Sequence, residues 1–254
     1  MAITASLPAR LPLLFALLLC GVAQARAAAP CPAEPPAPAL HLPHLRAALQ
    51  RGTEAVVVAL GSSSTKGAMA SDPAHSYPAE LQADLEHALP RMQVAVLNRG
   101  IGGQDAPEEL ARLQADAIAV RPQLVIWQVG ANAALHNADP AEFRRMVSLG
   151  VSRLQQAGID VILMDNQRSP RIDATPEHAV LDTVLARVAA ATGTGLFSRA
   201  SLMTAWDREG APARTFIAAD GLHQNDRGYA CVASALADAI LDRLRGTRAL
   251  SASR

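Results

Sequence analysis

The chain has 254 residues, of which 23 are Lys or Arg and 23 are Asp or Glu, so its formal net charge is zero. This balance provides no basic surface of the kind that binds nucleic acid, and an apolar content of 50% excludes an intrinsically disordered chain. The length suits one large domain or two small ones.

Residues 1–25 resemble a secretory signal peptide. Arg10 precedes an apolar run over residues 11–23, and Ala23-Gln24-Ala25 has the small-x-small pattern of a cleavage site. The apolar run is shorter than the about 20 residues that a membrane-spanning helix needs. We therefore expect cleavage at this site, no stable membrane insertion afterwards, and a secreted or periplasmic location. A cut after Ala27 and an uncleaved anchor are the alternatives.

Prolines recur between residues 30 and 43, which predicts a proline-rich, extended N-terminal arm over residues 26–50. A single domain is expected over residues 51–246, followed by a tail over residues 247–254.

Two cysteines, Cys31 and Cys231, remain after removal of the signal peptide. A helical projection of residues 229–244 places Cys231 opposite the apolar face, so we expect an exposed thiol. The compartments that receive exported proteins are oxidising and permit disulfides. Two alternatives stay open: a Cys31–Cys231 bridge that ties the arm to the last helix, or two free thiols.

Apolar runs typical of buried parallel strands alternate with helical stretches along the domain. Strands are expected over residues 55–60, 94–97, 124–129, 161–164 and 195–197. Helices are expected over residues 78–89, 107–120, 140–156, 176–191 and 226–244. The alternation predicts a doubly wound, three-layer α/β/α fold with a mainly parallel, flavodoxin-like five-stranded sheet.

Ligands of such folds bind outside the carboxyl ends of the strands, so the residues that follow each strand are the candidates for a site. The first of these loops, Gly61–Gly67, lacks the Gly-Lys-Ser/Thr ending of a phosphate-binding loop, and no Gly-x-Gly-x-x-Gly is present for a dinucleotide. Asp72, His75 and His87 do not have the spacing of zinc ligands. We therefore expect neither a cofactor nor a metal.

The loops contain the parts needed for acyl transfer. The serines after the first strand supply a hydroxyl nucleophile, although any one of them taken alone is more typical of a helix cap or a turn. Asp220 lies three residues before His223, so its carboxylate can orient the imidazole that takes the serine proton. Gly103 and Asn132 can donate a backbone N–H and a side-chain amide to an oxyanion.

These segments, in this order between Val56 and Ala239, resemble the SGNH (GDSL-like) hydrolase family. The matching blocks are Gly61-Ser62-Ser63-Ser64-Thr65, Asn98-Arg99-Gly100-Ile101-Gly102-Gly103, Gly130-Ala131-Asn132 and Asp220-Gly221-Leu222-His223. The resemblance implies that Ser63 is the nucleophile, that Gly103 and Asn132 are oxyanion donors, and that His223 and Asp220 are the base and its orienting acid.

Two positions depart from the family pattern. Ser62 and Ala133 stand where the family has Asp, so the hydrogen bonds that stiffen those two loops must differ. Ser64 is the alternative nucleophile. Two further loop residues, Arg99 and Gln167, are either solvated or in contact with substrate.

The resemblance implies a serine esterase that acts through an acyl-serine. For an exported enzyme, O-acetyl or other short acyl groups on an envelope or extracellular polysaccharide are the expected substrate, or a small-molecule ester. Aromatic residues make up only 3% of the chain, which limits the platforms on which sugars stack. A lysophospholipase or thioesterase acting on longer acyl chains is the main alternative. An acyltransferase and a catalytically lapsed carbohydrate-binding module are the alternatives from other classes.

Overall fold

The structure is a computed structural model that describes residues 30–32 and 39–245. The expected signal peptide over residues 1–25 and the expected tail over residues 247–254 lie outside the described residues. Within the described part of the chain, no helix is both long and apolar enough to cross a bilayer.

A five-stranded, fully parallel sheet forms the centre of the domain. Its strands are β1 (Ala55–Gly61), β2 (Val94–Gly100), β3 (Leu124–Gln128), β4 (Asp160–Met164) and β5 (Gly195–Phe197). Their spatial order is β2-β1-β3-β4-β5, which is the flavodoxin-like order. The predicted fold is therefore confirmed. β2 extends three residues beyond its expected end because Asn98, Arg99 and Gly100 continue the pairing with β1 as far as Gly61.

Helices cover both faces of the sheet. In chain order they are α1 (Pro43–Arg51), α2 (Ser63–Lys66), α3 (Tyr77–Ala88), α4 (Ala106–Asp116), α5 (Ala131–Leu135), α6 (Pro140–Gln156), α7 (Pro170–Asp173), α8 (His178–Thr192), α9 (Arg199–Arg208) and α10 (Asp226–Arg245). Successive side chains of a strand point to opposite faces, so Val57 packs with α3 and α10 whereas Val58 packs with α4 and α6. The sheet thereby separates two apolar clusters.

The expected N-terminal arm needs a correction, because residues 43–50 of the arm, together with Arg51, form helix α1. Leu42, Leu45 and Ala48 recur at helical spacing and are buried, and the two leucines belong to the cluster that contains α10. Pro43 occupies the first turn, where its missing N–H costs nothing. The carboxylate of Asp160 accepts hydrogen bonds from the free N–H groups at this end of the helix, with 2.8 Å from the Leu45 nitrogen. The folded domain thus begins before residue 51.

Cys31 and Cys231 form a disulfide, with their Cα atoms 5.4 Å apart. The hypothesis of a bridge is confirmed, but the expected exposure of Cys231 is wrong, because only 1% of this residue is accessible. The helical projection failed since α10 is buried on nearly all sides, and Cys231 belongs to the same apolar cluster as Leu236.

Candidate active site

Ser63 is the first residue of α2, directly after the carboxyl end of β1. The chain turns sharply at Ser62, and the short helix ends at Gly67, which has a positive φ of 92°. Ser63 is partly accessible, whereas Ser64 is only 2% exposed. Of these neighbouring serines, Ser63 therefore presents its hydroxyl outside the carboxyl edge of the sheet.

A chain of hydrogen bonds connects Ser63 to His223 and Asp220. The Ser63 Oγ lies 2.7 Å from His223 Nε2, and His223 Nδ1 lies 2.5 Å from Asp220 Oδ2. Asp220 Oδ1 accepts the backbone N–H groups of Leu222 and His223, each at 3.0 Å. Burial alone would raise the pKa of Asp220, but the hydrogen bonds from the His223 ring and from these two N–H groups lower it below its usual value. The carboxylate is thus kept ionised beside the ring.

Gln167 stabilises the turn that contains Asp220 and His223. It follows β4, and its Nε2 donates to the Leu222 carbonyl at 2.8 Å. It is 1% exposed, so it is neither solvated nor open to substrate, and both roles expected for it are wrong. The Arg171 N–H adds a bond of 3.0 Å to the Gly221 carbonyl. The base turn is therefore fixed to the segment that follows β4.

The loop that contains Gly103 packs against the nucleophile loop. Asn98 Nδ2 donates to the Thr65 carbonyl at 2.9 Å, and the Ile101 N–H donates to the Gly61 carbonyl at 3.0 Å. Gly100 must be glycine here, since a Cβ would lie 2.1 Å from the Lys66 nitrogen. The next glycine along the chain, Gly102, lies beside the nucleophile: an added Cβ would be in van der Waals contact with Ser63 Cβ, at 3.9 Å.

Gly103 and Asn132 are connected through one residue. Gly103 is exposed and has a positive φ of 81°, which glycine adopts without strain. The carbonyl of the following residue, Gln104, accepts a hydrogen bond of 2.6 Å from the Asn132 side-chain amide. Asn132 lies in α5, directly after β3, so this bond joins the second and third loops and fixes the direction of the amide.

The two departures from the family pattern have different surroundings: Gln128 bonds to Ser62, whereas Ala133 packs in the core. Gln128, the last residue of β3, uses its Oε1 to accept bonds from the Ser62 N–H at 3.2 Å and the Ser62 hydroxyl at 3.1 Å. The same oxygen accepts the Thr65 hydroxyl at 3.3 Å. Ala133 is fully buried in the apolar cluster that contains Phe143. The role of Gln128 was not predicted from the sequence. The signal that could have indicated it is a polar residue at the end of an otherwise apolar strand.

Arg112 in α4 is a second residue that the sequence pattern did not identify. Its guanidinium donates to the Gly61 carbonyl at 2.9 Å, the Arg99 carbonyl at 2.8 Å and Gln104 Oε1 at 2.6 Å. It also pairs with Asp116 at 2.7 Å, and this pair alone is visible in the sequence, as an i,i+4 spacing. Arg99 itself is exposed, so a solvated position or substrate contact both stay open for its side chain.

Two buried carboxyl groups lie beneath the loops. Burial raises the pKa of Glu109 to about 8, although the Trp127 Nε1–H donates to it at 2.7 Å. Burial and the nearby Asp182 carboxylate raise the pKa of Asp165 to about 7, against the Ser198 hydroxyl that bonds to it. Neither carboxyl group is hydrogen-bonded to Ser63, His223 or Asp220 among the described residues. Both instead bond to residues that surround the site.

The model of the non-GDSL lipase-like family matches residues 28–246. The chain belongs to this family. The resemblance to SGNH hydrolases is thereby confirmed, and the serine at position 62 agrees with the description "non-GDSL". The family match begins before α1, as expected if α1 is part of the fold. No curated protein is significantly similar to the chain.

Solved structures of similar fold include several esterases. A two-domain esterase active on acetylated mannans is 23% identical, with a TM-score of 0.69 over 81% of this chain, which spans only 55% of that protein. A lipase/acylhydrolase from Enterococcus faecalis is 23% identical, with a TM-score of 0.63 over 74% of this chain and 96% of its own. An acetylxylan esterase from Geobacillus stearothermophilus is 18% identical, with a TM-score of 0.62 over 73% of this chain and 94% of its own. At these identities the likeness identifies the SGNH fold.

Proposed function

We propose that this family member is an exported serine esterase that cleaves carboxylic esters through an acyl-serine intermediate. The observation that carries the proposal is the continuous hydrogen-bond chain from Ser63 through His223 to Asp220 at the carboxyl edge of the sheet. A serine hydroxyl becomes an effective nucleophile only beside a base that a third group orients. Here His223 is the base and Asp220 is the group that orients it.

In the proposed mechanism, Ser63 Oγ attacks the ester carbonyl while His223 Nε2 accepts the hydroxyl proton. Asp220 holds the ring through Nδ1 and stabilises the imidazolium that forms. The Gly103 N–H and the Asn132 amide donate to the oxyanion of the tetrahedral intermediate. His223 then protonates the leaving alcohol. In the second half-reaction it activates the water that hydrolyses the acyl-serine, which releases the carboxylic acid and restores the Ser63 hydroxyl.

Short acyl groups on polysaccharides are the proposed substrate class. Support comes from two proteins of the same fold, one active on acetylated mannans and one described as an acetylxylan esterase. Both activities are those of the two named proteins, and they make an acetyl ester the first substrate to test on this chain.

Export is proposed on two grounds. The N-terminal 25 residues have the pattern of a signal peptide. The Cys31–Cys231 disulfide suits an oxidising compartment, since the cytosol keeps most thiols reduced.

Longer acyl chains are the second candidate, favoured by one observation. Met69 and Ile101 are 51% and 44% exposed, and both belong to segments that border Ser63. The Ala68 N–H donates to the Ser63 carbonyl, while the Ile101 N–H donates to the Gly61 carbonyl. Exposed apolar side chains on segments that border a nucleophile are suited to contact an alkyl chain.

The test uses a fluorophosphonate probe and a series of nitrophenyl esters from acetyl to dodecanoyl. Ser63→Ala is expected to abolish both labelling and turnover. Ser64→Ala is the matched control, because this buried neighbour has no hydrogen bond to His223 and its loss should leave turnover intact. Labelling that survives in Ser63→Ala would overturn the proposed nucleophile. A maximum at acetyl supports the short-acyl substrate, whereas rates that rise with chain length support the second candidate.

A further inference from the structure

Arg112 connects parts of the site that lie far apart in the sequence. Its side chain is 13% exposed. Nη2 donates to the carbonyl of Gly61, two residues before Ser63, and Nη1 donates to the carbonyl of Arg99 at the end of β2. Nε donates to Gln104 Oε1 at 2.6 Å. One planar group therefore contacts the nucleophile loop and both ends of the loop that contains Gly103.

The contact to Gln104 extends further. Arg112 holds the side chain of Gln104, while the backbone carbonyl of the same residue accepts the Asn132 amide. Gln104 also directly follows Gly103. Gly103 is thus the direct neighbour of Gln104, which Arg112 holds, and Asn132 is hydrogen-bonded to that same residue. Ser63 lies two residues after Gly61, which Arg112 also holds.

We propose that Arg112 is a positioning residue that sets the distance between Ser63 and the two oxyanion donors. The inference rests on the proposed esterase function and deepens it. Arg112 acts through Gly61, Arg99 and Gln104 without itself contacting the reacting atoms. Oxyanion donors are effective only within about 2.7–3.1 Å of the developing charge, so a small shift of either loop weakens them.

The guanidinium is suited to this task for a geometric reason. It offers five N–H donors in a rigid plane, so one side chain can serve several acceptors in fixed directions. Asp116 accepts from Nη1 at 2.7 Å and helps to hold that plane in place. A lysine at this position has one ammonium at the end of a flexible chain, and it cannot reach all three loop acceptors in the same geometry.

The experiment compares Arg112→Ala and Arg112→Lys with the wild-type chain. For Arg112→Ala we expect kcat to fall by about 10- to 100-fold, because a misplacement of about 1 Å can cost that much, while KM changes little. Arg112→Lys should lie between the two. Arg145→Ala is the matched control: this arginine also pairs with a carboxylate on its own helix, but the pair is exposed, and kcat should stay at the wild-type value.

Fluorophosphonate labelling separates positioning from folding. A positioning role predicts that every molecule of Arg112→Ala is labelled, but with a reduced rate constant. A purely structural role predicts a smaller labelled fraction that reacts at the wild-type rate, and this result would overturn the inference. Added millimolar guanidinium should partly restore kcat of Arg112→Ala, whereas it should not restore Ser63→Ala.

Failure of the inference is distinguishable from failure of the esterase proposal. If Ser63→Ala is inactive while Arg112→Ala and Arg112→Lys keep the wild-type kcat, the positioning role alone is wrong. If Ser63→Ala keeps its activity, the proposed nucleophile is wrong and the inference falls with it.

Discussion

The turn that contains the proposed base is held mainly by bonds within a few residues, whereas the oxyanion loop is held by side chains of other elements, 8 to 28 residues away in the sequence. Asp220 accepts two N–H groups from its own turn and orients the ring three residues later. By contrast, the loop around Gly103 depends on Arg112 and on Asn132, 28 residues from its acceptor Gln104.

The base turn and the oxyanion loop should therefore respond differently when a contact is removed. A turn that closes on itself keeps its geometry when one distant contact is lost, because its own hydrogen bonds persist. A loop that depends on remote partners shifts when any one of them is removed. We therefore expect substitutions on the base side to act mainly through chemistry, and those on the oxyanion side to act through distance as well.

The largest expected effect is that of Asp220→Asn. The new side chain keeps an oxygen for the two backbone N–H groups, so the turn should survive, but its amide would donate to Nδ1 and favour the wrong tautomer of His223. We expect kcat to fall by about 10³- to 10⁴-fold with an unchanged melting temperature. Turnover within tenfold of the wild type would show that Asp220 does not orient the base.

The next largest effect is expected on the oxyanion side, for Asn132→Ala. Loss of one oxyanion donor costs about 10²- to 10³-fold in kcat. The same change also removes the bond to the Gln104 carbonyl, so the loop with Gly103 is released. Combined with Arg112→Ala, it should give less than the product of the two single losses, because both act on that loop. Fully multiplicative losses would contradict the shared role.

A third effect concerns the buried carboxyl on α4 beneath the oxyanion side. The pKa of Glu109 is raised to about 8 in the folded state, so the folded chain holds a proton that the unfolded chain releases near its ordinary pKa. The contribution of Glu109 to the free energy of unfolding is fully present below the pKa that Glu109 has in the unfolded chain. It is lost as pH rises through about 8. Glu109→Gln removes this dependence and can still accept the Trp127 N–H.

Urea unfolding between pH 5 and pH 8 measures this effect. The free energy of unfolding of Glu109→Gln relative to the wild type should rise with pH by about 1 kcal/mol per pH unit. Glu86→Gln, which replaces an exposed glutamate on α3, is the control for the loss of a surface carboxylate. A constant difference for Glu109→Gln would show that Glu109 is ionised in the folded chain.

The same contrast explains what could be predicted from the sequence. The strands were predictable because five apolar runs alternate with helical stretches, and the Asp220–His223 pair was predictable because its contact spans three residues. Helix α1 was missed, since the prolines that precede it dominated the pattern and its capping acid, Asp160, lies 115 residues from Leu45. Cys231 was placed on an exposed face because a projection of one helix contains no information on what packs over it.

The supporting residues of the site were harder to predict for the same reason. Arg112 forms an i,i+4 pair with Asp116, which in a sequence indicates an exposed helix face. Its contacts to Gly61 and Arg99 depend on the pairing of β1 with β2, which brings residues 61 and 100 side by side. Gln128 ends β3 and Gln167 lies in the segment that follows β4, but only the folded chain shows which loop each of them holds.

The smallest expected effect tests whether the base turn holds itself. Gln167→Met keeps the volume of the side chain but removes the bond to the Leu222 carbonyl. An unpaired buried carbonyl costs about 1–3 kcal/mol, so we expect the free energy of unfolding to fall by about that amount. Because Asp220 still accepts both N–H groups of its turn, kcat should fall by less than about tenfold. Gln155→Met, which loses an exposed bond to the Thr192 carbonyl, serves as the control. A loss of kcat as large as that of Asn132→Ala would mean that the base turn, too, depends on a distant partner.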